Sequence, residues 1–327
     1  MNGVLQSDPF SWRIDQSSDG RTPSAGVPQG LSRARLDHRE KSMKLLRVGP
    51  PGAERPALLD QDGTLRDLSA LVDDIDGSLL ADASALDRVR AAAGAGVLPA
   101  LDATGLRVGP PVARIGKVVC IGLNYHGHAA ETGQATPAEP VVFLKAADTV
   151  VGPDDTVLVP RGSVKTDWEV ELAIVIGRTA RYLETDEEAL AHVAGYAVAH
   201  DVSEREFQIE RGGTWDKGKN CETFNPLGPW LVTADEVPDP QALGLRLWVN
   251  GELKQDGHTS DQIFPVAEVV RYVSRFMTLY PGDVINTGTP AGVAMGQPEP
   301  KPYLRPGDVV ELEVDGLGRQ RQELKSA

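Results

Sequence analysis

The sequence is poor in several things that would define whole classes of protein. Only two cysteines occur among 327 residues, Cys120 and Cys221, which excludes a disulfide framework and a cysteine-rich zinc site. That cysteine usage fits a reducing compartment, so a cytoplasmic setting is expected. No apolar run approaches the roughly 20 residues that a bilayer span requires. Basic residues are outnumbered, 33 against 47 acids, for a formal net charge of −14. Nucleic acid and anionic membrane both call for basic surface, so neither is expected as a partner. No GxGxxG or phosphate-loop signature stands between a strand and a helix.

What remains has the composition of a globular protein, 41% hydrophobic and 24% charged. Residues 1–42 are rich in Ser, Gly, Pro, Asp and Arg without apolar periodicity, and read as a disordered extension lacking a signal-peptide layout. Residues 43–112 read as a small α/β domain. It comprises a strand at Lys44–Val48, an apolar run at Ala57–Leu59, a short helix near Leu65–Val72 and a second helix over Ala81–Ala92. Pro99–Ile115 reads as a linker.

From residue 113 to 327 short β-branched runs dominate, at Val118–Ile121, Val141–Leu144, Thr156–Val159, Trp168–Ile176, Ala194–His200, Gly228–Val232, Leu245–Val249, Asp283–Asn286 and Val309–Val314. Asn250-Gly251 is a strong hairpin signal. One helix is expected over Pro265–Met277, with Val266, Val269, Val270, Val273 and Phe276 as its apolar stripe. Helices are too few to bridge parallel strands, so the fold class is α+β and β-rich rather than doubly wound.

The chemistry concentrates in four stretches. In DWEVELAIVIG, residues 167–177, one face of a half-buried strand is apolar while the other begins with Glu169 and Glu171. Two carboxylates at i and i+2 share a face; either that strand end is solvated, or a cation belongs there. AGYAVAHDVS ends its own apolar run at Asp201, a further candidate ligand. Three carboxylates without cysteine favour Mg²⁺, Mn²⁺ or Ca²⁺ over zinc.

In CIGLNYHGHAAETG, residues 120–133, His128 and Glu131 stand one helical turn apart. A carboxylate beside an imidazole fixes its tautomer and suits it to general-base work on water, with His126 as the competing histidine. RGGTWDKGKNCETFNPLGPWL, residues 211–231, offers Lys217 and Lys219, either solvated in a surface loop or set to meet an anion. NTGTPAGVAMG, residues 286–296, has the small residues of a loop whose backbone approaches a ligand closely, or of an ordinary turn.

GLNYHGHAAE, FLKAADTVVGP, DWEVELAIVIG, AHDVSEREFQ, GTWDKGKNCETFNPLGPWL and NTGTPAGV, in that order, resemble the fumarylacetoacetate hydrolase family over about residues 115–315. GKNCETFNPLGPWLVT is similar to its branch of 2,4-diketo-3-deoxy-L-fuconate hydrolases and ureidoglycolate lyase-like proteins. The resemblance implies a mixed β-roll, a homodimer, and an oxo-acid substrate. It implies metal ligation by Glu169, Glu171 and Asp201, with Mg²⁺, Mn²⁺ or Ca²⁺ as the ion. It further implies a catalytic set of His128, Glu131 and Lys219, with Asn124, Tyr125, Arg205, Gln208 and Thr289 at the substrate. The expected reaction is cleavage of a carbon–carbon bond in a 2,4-dioxo acid; decarboxylation, isomerisation and lyase chemistry at the same site are the alternatives, and a non-catalytic metal-binding protein is the reading from a different class.

Overall fold

Backbone hydrogen bonding from Lys44 onward builds one large sheet, seen in a computed structural model that describes residues 43–102 and 104–327. The expected extension, residues 1–42, lies outside the described residues. Lys44–Val48 pairs antiparallel with Arg55–Leu59, which pairs in turn with Leu65–Asp67. A helix near Leu65–Val72 was the expectation, and it does not form. The turn at residues 60–63 folds Leu65 back against Leu59, so the backbone donors go to the ladder. Leu71 and Val72 then both donate to Leu68 O, which makes a single turn only. The next helical stretch is two helices, Gly77–Ala81 and Ala83–Ala95. Asp82 separates them and caps the second by accepting from the Ser84 and Ala85 amides.

The sheet continues from Lys44–Val48 through Asn225–Thr233, Val193–His200, Val170–Ile176, Val284–Asn286 and Val118–Gly122 to Val141–Lys145. Its neighbours are mostly antiparallel, with Val284–Asn286 and Val118–Gly122 parallel. Residues 43–112 therefore extend the edge of the sheet that carries the rest of the chain. Leu45, Leu58, Ile75 and Val89 share one apolar cluster with Val118, Ala173, Val175 and Leu231.

A second sheet runs Glu252–His258, Gly244–Val249, Val309–Val314, Gly318–Ser326 and Val157–Val159. Its first hairpin turns at Asn250 and Gly251 with φ of 52° and 80°, as a type I′ turn requires. Contacts from this sheet cover the face of Val170–Ile176 opposite the first cluster. The strand expected to be half-buried is thus covered on both faces, and all seven of its residues are buried. The late helix is Val266–Val273, with its four valines buried. Phe276 leaves the expected stripe: the helix ends at Ser274, and Phe276 lies 65% exposed against the Tyr272 ring. The architecture is β-rich α+β with several sheets. No helix among the described residues is long and apolar enough to cross a membrane.

Candidate active site

Glu169 and Asp201 face each other because the antiparallel register sets Val170 opposite His200, and the Asp201 amide donates to Glu169 O at 3.0 Å. Glu171 follows one pleat further along. One carboxylate oxygen from each of the three lies within 4.8 Å of the others, and all three side chains are buried. This removes the solvated strand end as a reading of Glu169 and Glu171.

Two cations answer these acids across the cavity. Lys219 ends the short helix Asp216–Lys219 and donates to Glu169 Oε2 at 2.7 Å and to Asp201 Oδ2 at 2.9 Å. Arg205 donates to Glu169 Oε1 at 2.6 Å, to Asp167 Oδ2 at 2.8 Å and to Gln208 Oε1 at 3.1 Å. Burial alone would push the Glu169 carboxyl up, but Lys219 and Arg205 outweigh it and hold Glu169 well below the usual carboxylate range. Burial likewise works against the Lys219 ammonium, and Asp201 and Glu169 reverse it, leaving Lys219 above its ordinary value.

Glu171 stands differently. Burial pushes its carboxyl well up, and the neighbouring Asp201 and Glu169 push it further. Its hydrogen bond comes from the Gly288 amide at 2.7 Å, and it has no ion pair among the described residues. Three converging oxygen donors, one of them without a counter-charge, are the donor set of a hard divalent cation. The residues present therefore fit such an ion, with Glu169, Glu171 and Asp201 as its ligands.

His128 lies on the helix His126–Glu131, buried, with Nδ1 bonded to Glu131 Oε1 at 2.8 Å. Glu131 Oε2 accepts the Gly292 amide at 2.8 Å, so the Nδ1 position is held and Nε2 carries the free lone pair. Gly292 adopts φ of 109°, and a Cβ there would stand 2.0 Å from Lys254 O. Only glycine brings this amide to Glu131. The same residue accepts the Trp168 Nε1–H at 3.1 Å.

These groups line a cavity of about 160 Å³, which His128, Glu169, Glu171, Asp201, Arg205, Gln208, Lys219 and Thr289 all reach. Thr289 spends its hydroxyl on Val170 O, at 2.9 Å, while accepting from Gln255. Asn124 and Tyr125, expected at the substrate, lie outside the cavity lining. The Asn124 amide is saturated by the backbone of Phe264 and Thr287, and Tyr125 is fully buried with its hydroxyl at Gln262. His126 is exposed outside the lining, and Lys217 donates to Arg211 O on the surface.

Three residues that sequence reasoning missed complete the site. Lys145, fully buried, donates to Asp201 Oδ1 and to the carbonyls of Val202 and Phe224. Asp167 accepts from Arg205 and from the Ala294 and Met295 amides, tying the 286–296 loop to the acids. Gln255 reaches over from the second sheet to the Val170 amide, Thr289 and Pro290 O. A lysine closing the apolar run VVFLK was the one signal available. A larger groove, about 760 Å³, lies along Arg47, Glu54, Asp74, Arg107 and Asp155, but those charges already pair with one another.

A buried cage of three acids beside a histidine–glutamate pair, held on a β-rich scaffold, defines a class of acid-rich, cation-ready enzymes. The fumarylacetoacetate (FAA) hydrolase C-terminal family model matches residues 117–325, and the chain belongs to that family. A relative from Burkholderia multivorans, a hydrolase by name, is 54% identical over 285 residues, which are 87% of this chain and 100% of that protein. Among solved structures, fumarylacetoacetate hydrolase from Exiguobacterium antarcticum is 34% identical with a TM-score of 0.75, covering 88% of this chain and 100% of its own. Maleylpyruvate hydrolase from Sphingobium sp. SYK-6, in complex with manganese(II) and pyruvate, is 30% identical with a TM-score of 0.71, covering 87% and 100%. A 2-hydroxyhepta-2,4-diene-1,7-dioate isomerase from Mycobacterium marinum is 32% identical with a TM-score of 0.67, covering 87% and 99%.

Proposed function

We propose that this protein is a divalent-metal-dependent hydrolase that cleaves a carbon–carbon bond in 2,4-dioxo acids. The observation that carries the proposal is one cavity lined by both the acid cage and His128, with Glu131 bonded to His128 Nδ1 from behind the wall. Glu169, Glu171 and Asp201 would hold Mg²⁺, Mn²⁺ or Ca²⁺, which when bound supplies Lewis acidity at the 2-oxo acid end of the substrate. The relative solved with manganese(II) and pyruvate supports this choice of ion class and product.

His128 takes a proton from water at Nε2, while Glu131 keeps Nδ1–H in place and stabilises the resulting imidazolium. The hydroxide adds to C4, the C3–C4 bond breaks, and its electron pair passes into the enolate of pyruvate. His128 returns its proton to C3, so one water is consumed, and pyruvate and a carboxylic acid leave, the acid then giving up its proton to solvent. Lys219, charged and buried at the cage, meets the negative charge that develops on the enolate. Arg205 and Gln208 orient the acid end, and Thr289 shapes the wall beside it.

A second reading, isomerisation or decarboxylation through the same enolate, is favoured by the isomerase among the solved neighbours. Purified protein with Mg²⁺ or Mn²⁺ is to be offered a panel of acylpyruvates, 2,4-diketo-3-deoxy sugar acids and oxaloacetate, following loss of enol absorbance and release of pyruvate. Pyruvate with the matching carboxylate is the expected result. Turnover of oxaloacetate alone would transfer the assignment to decarboxylation.

A further inference from the structure

The cavity has a second side, and its composition differs from the acid cage. Leu123, Phe143, Ile209, Trp215 and Met295 line it. Phe143 and Trp215 meet edge to face at 5.4 Å, and the Phe143 centroid lies 5.1 Å from Lys219 Nζ. Gly122 is the reason the indole fits: a Cβ there would stand 2.5 Å from Trp215 Cζ3. Ile209 is 50% exposed although it lines this cavity, an apolar side chain left for something to cover.

Charge points the same way. The cavity lining holds three acids and two bases, and behind them Lys145 and Asp167 offset each other. Every donor described on Lys219 and Arg205 goes to this set or to Gln208. The lining is thus one negative charge in excess. A divalent cation would turn that into one positive charge in excess, which a single carboxylate balances. Apart from His128, which is already engaged by Glu131, no further basic side chain stands in the described lining to meet a second one. A second carboxylate laid against the half-buried Phe143 and Trp215 would lose hydration and gain no cation of its own, because Lys219 beside Phe143 is already committed to Glu169 and Asp201.

From the aromatic wall and this charge balance we infer that the acyl end of the substrate is uncharged and apolar. The preferred substrates are 2,4-dioxo monocarboxylates rather than the corresponding dicarboxylates. This rests on the reading of the cage as the binding site for the 2-oxo acid end. The acyl carbons would lie along Phe143 and Trp215 and cover Ile209. It differs from what the names of the neighbouring enzymes say, since maleylpyruvate and 2-hydroxyhepta-2,4-diene-1,7-dioate carry a carboxylate at each end.

The test uses two matched pairs with the full-length, Mn²⁺-loaded protein. Binding is measured by calorimetry for 2-oxohexanoate and 2-oxoadipate, which differ only in a terminal carboxylate and lack the 4-oxo group needed for cleavage. Turnover is measured for 2,4-dioxoheptanoate and 2,4-dioxoheptanedioate. The monocarboxylate is expected to bind at least about 10-fold more tightly in the first pair and to show the lower KM in the second. Ile209→Arg, a substitution at an exposed position, is expected to narrow both gaps by supplying the missing cation. Trp215→Ala is expected to raise KM for the longer acyl chain more than for 2,4-dioxopentanoate. Equal or tighter binding of 2-oxoadipate overturns the inference and leaves the hydrolase reading standing if either dioxo acid is cleaved. Preferential binding of 2-oxohexanoate without cleavage of any dioxo acid upholds the apolar subsite and removes the hydrolase reading. Absence of binding by both 2-oxo acids overturns the inference.

Discussion

Glu169 immediately precedes the strand Val170–Ile176 and Glu171 lies one pleat into it, yet Glu169 meets Lys219 and Arg205 while Glu171 meets no cation. Lys219 and Arg205 each donate to Glu169, at 2.7 and 2.6 Å, while Glu171 receives the Gly288 amide. The pair is divided between a carboxylate the protein neutralises itself and one it leaves to be neutralised from outside. Glu171→Gln is therefore expected to abolish measurable Mn²⁺ binding while leaving the metal-free protein as stable as the parent or more so, because a like charge disappears from the cage. Calorimetry with Mn²⁺ and a thermal melt in EDTA measure the two halves. Wild-type affinity in this variant would remove Glu171 from the ligand set.

The base can be separated from the cage. His128→Ala should keep its Mn²⁺ affinity and lose between about 100- and 10,000-fold in kcat for dioxo acid cleavage. Glu131→Gln should lose less, because the amide still accepts from Gly292 while losing the charge behind the imidazole. Unchanged kcat in His128→Ala would assign the proton transfer elsewhere.

Lys145 has no exposed surface on its side chain and gives its three donors to Asp201, Val202 O and Phe224 O. Lys145→Met leaves the Asp201 charge buried with one cation fewer and two carbonyls without this donor. A loss of about 3–5 kcal/mol in unfolding free energy is expected. Urea denaturation in EDTA reads it, and added Mn²⁺ should recover part of the loss by binding the native state.

His200 supplies a pH dependence. Burial pushes its imidazole down to about 4, although its Nδ1 is held by Gln322 Oε1 at 3.0 Å. Between about pH 6.5 and pH 4 the unfolded chain binds a proton at this residue that the folded protein refuses. The stabilisation is fully present above about pH 6.5 and is lost as pH falls through about 4, on the order of 3 kcal/mol in all. His200→Gln, compared with the parent by urea denaturation at pH 7 and pH 4.5, should show a shallower decline. Parallel declines would place the acid sensitivity in other groups.

The strands and the chemistry of the site were legible for different reasons. Runs such as VELAIVI and VAGYAVAH carry their own periodicity and length, so their positions follow from local pattern. The helix expected near Leu65 failed because pairing with Leu59, decided by a turn, overrode a weak local pattern. The acids and the His128–Glu131 pair were visible as residue types at telling spacings. Asp167 and Gln255 were not, since their roles depend on partners such as Met295 and Val170, 128 and 85 positions away. Asn124 and Tyr125 show the same dependence on distant partners: polar groups in a motif, they bond to Phe264, Thr287 and Gln262 and lie outside the cavity lining.

Gly292 accepts from Trp168, beside the first acid of the cage, and donates to Glu131, behind the base. A single residue thus ties the two halves of the chemistry together, its N–H toward the base and its C=O toward the acids. The base follows strand Val118–Gly122 and the glutamates sit at Val170–Ile176, with Val284–Asn286 between them in the sheet, and the 286–296 loop that follows this middle strand bonds to both sides. A one-residue insertion in that loop would shift the amides that hold Glu171, Glu131 and Asp167, and so disturb base and cage together.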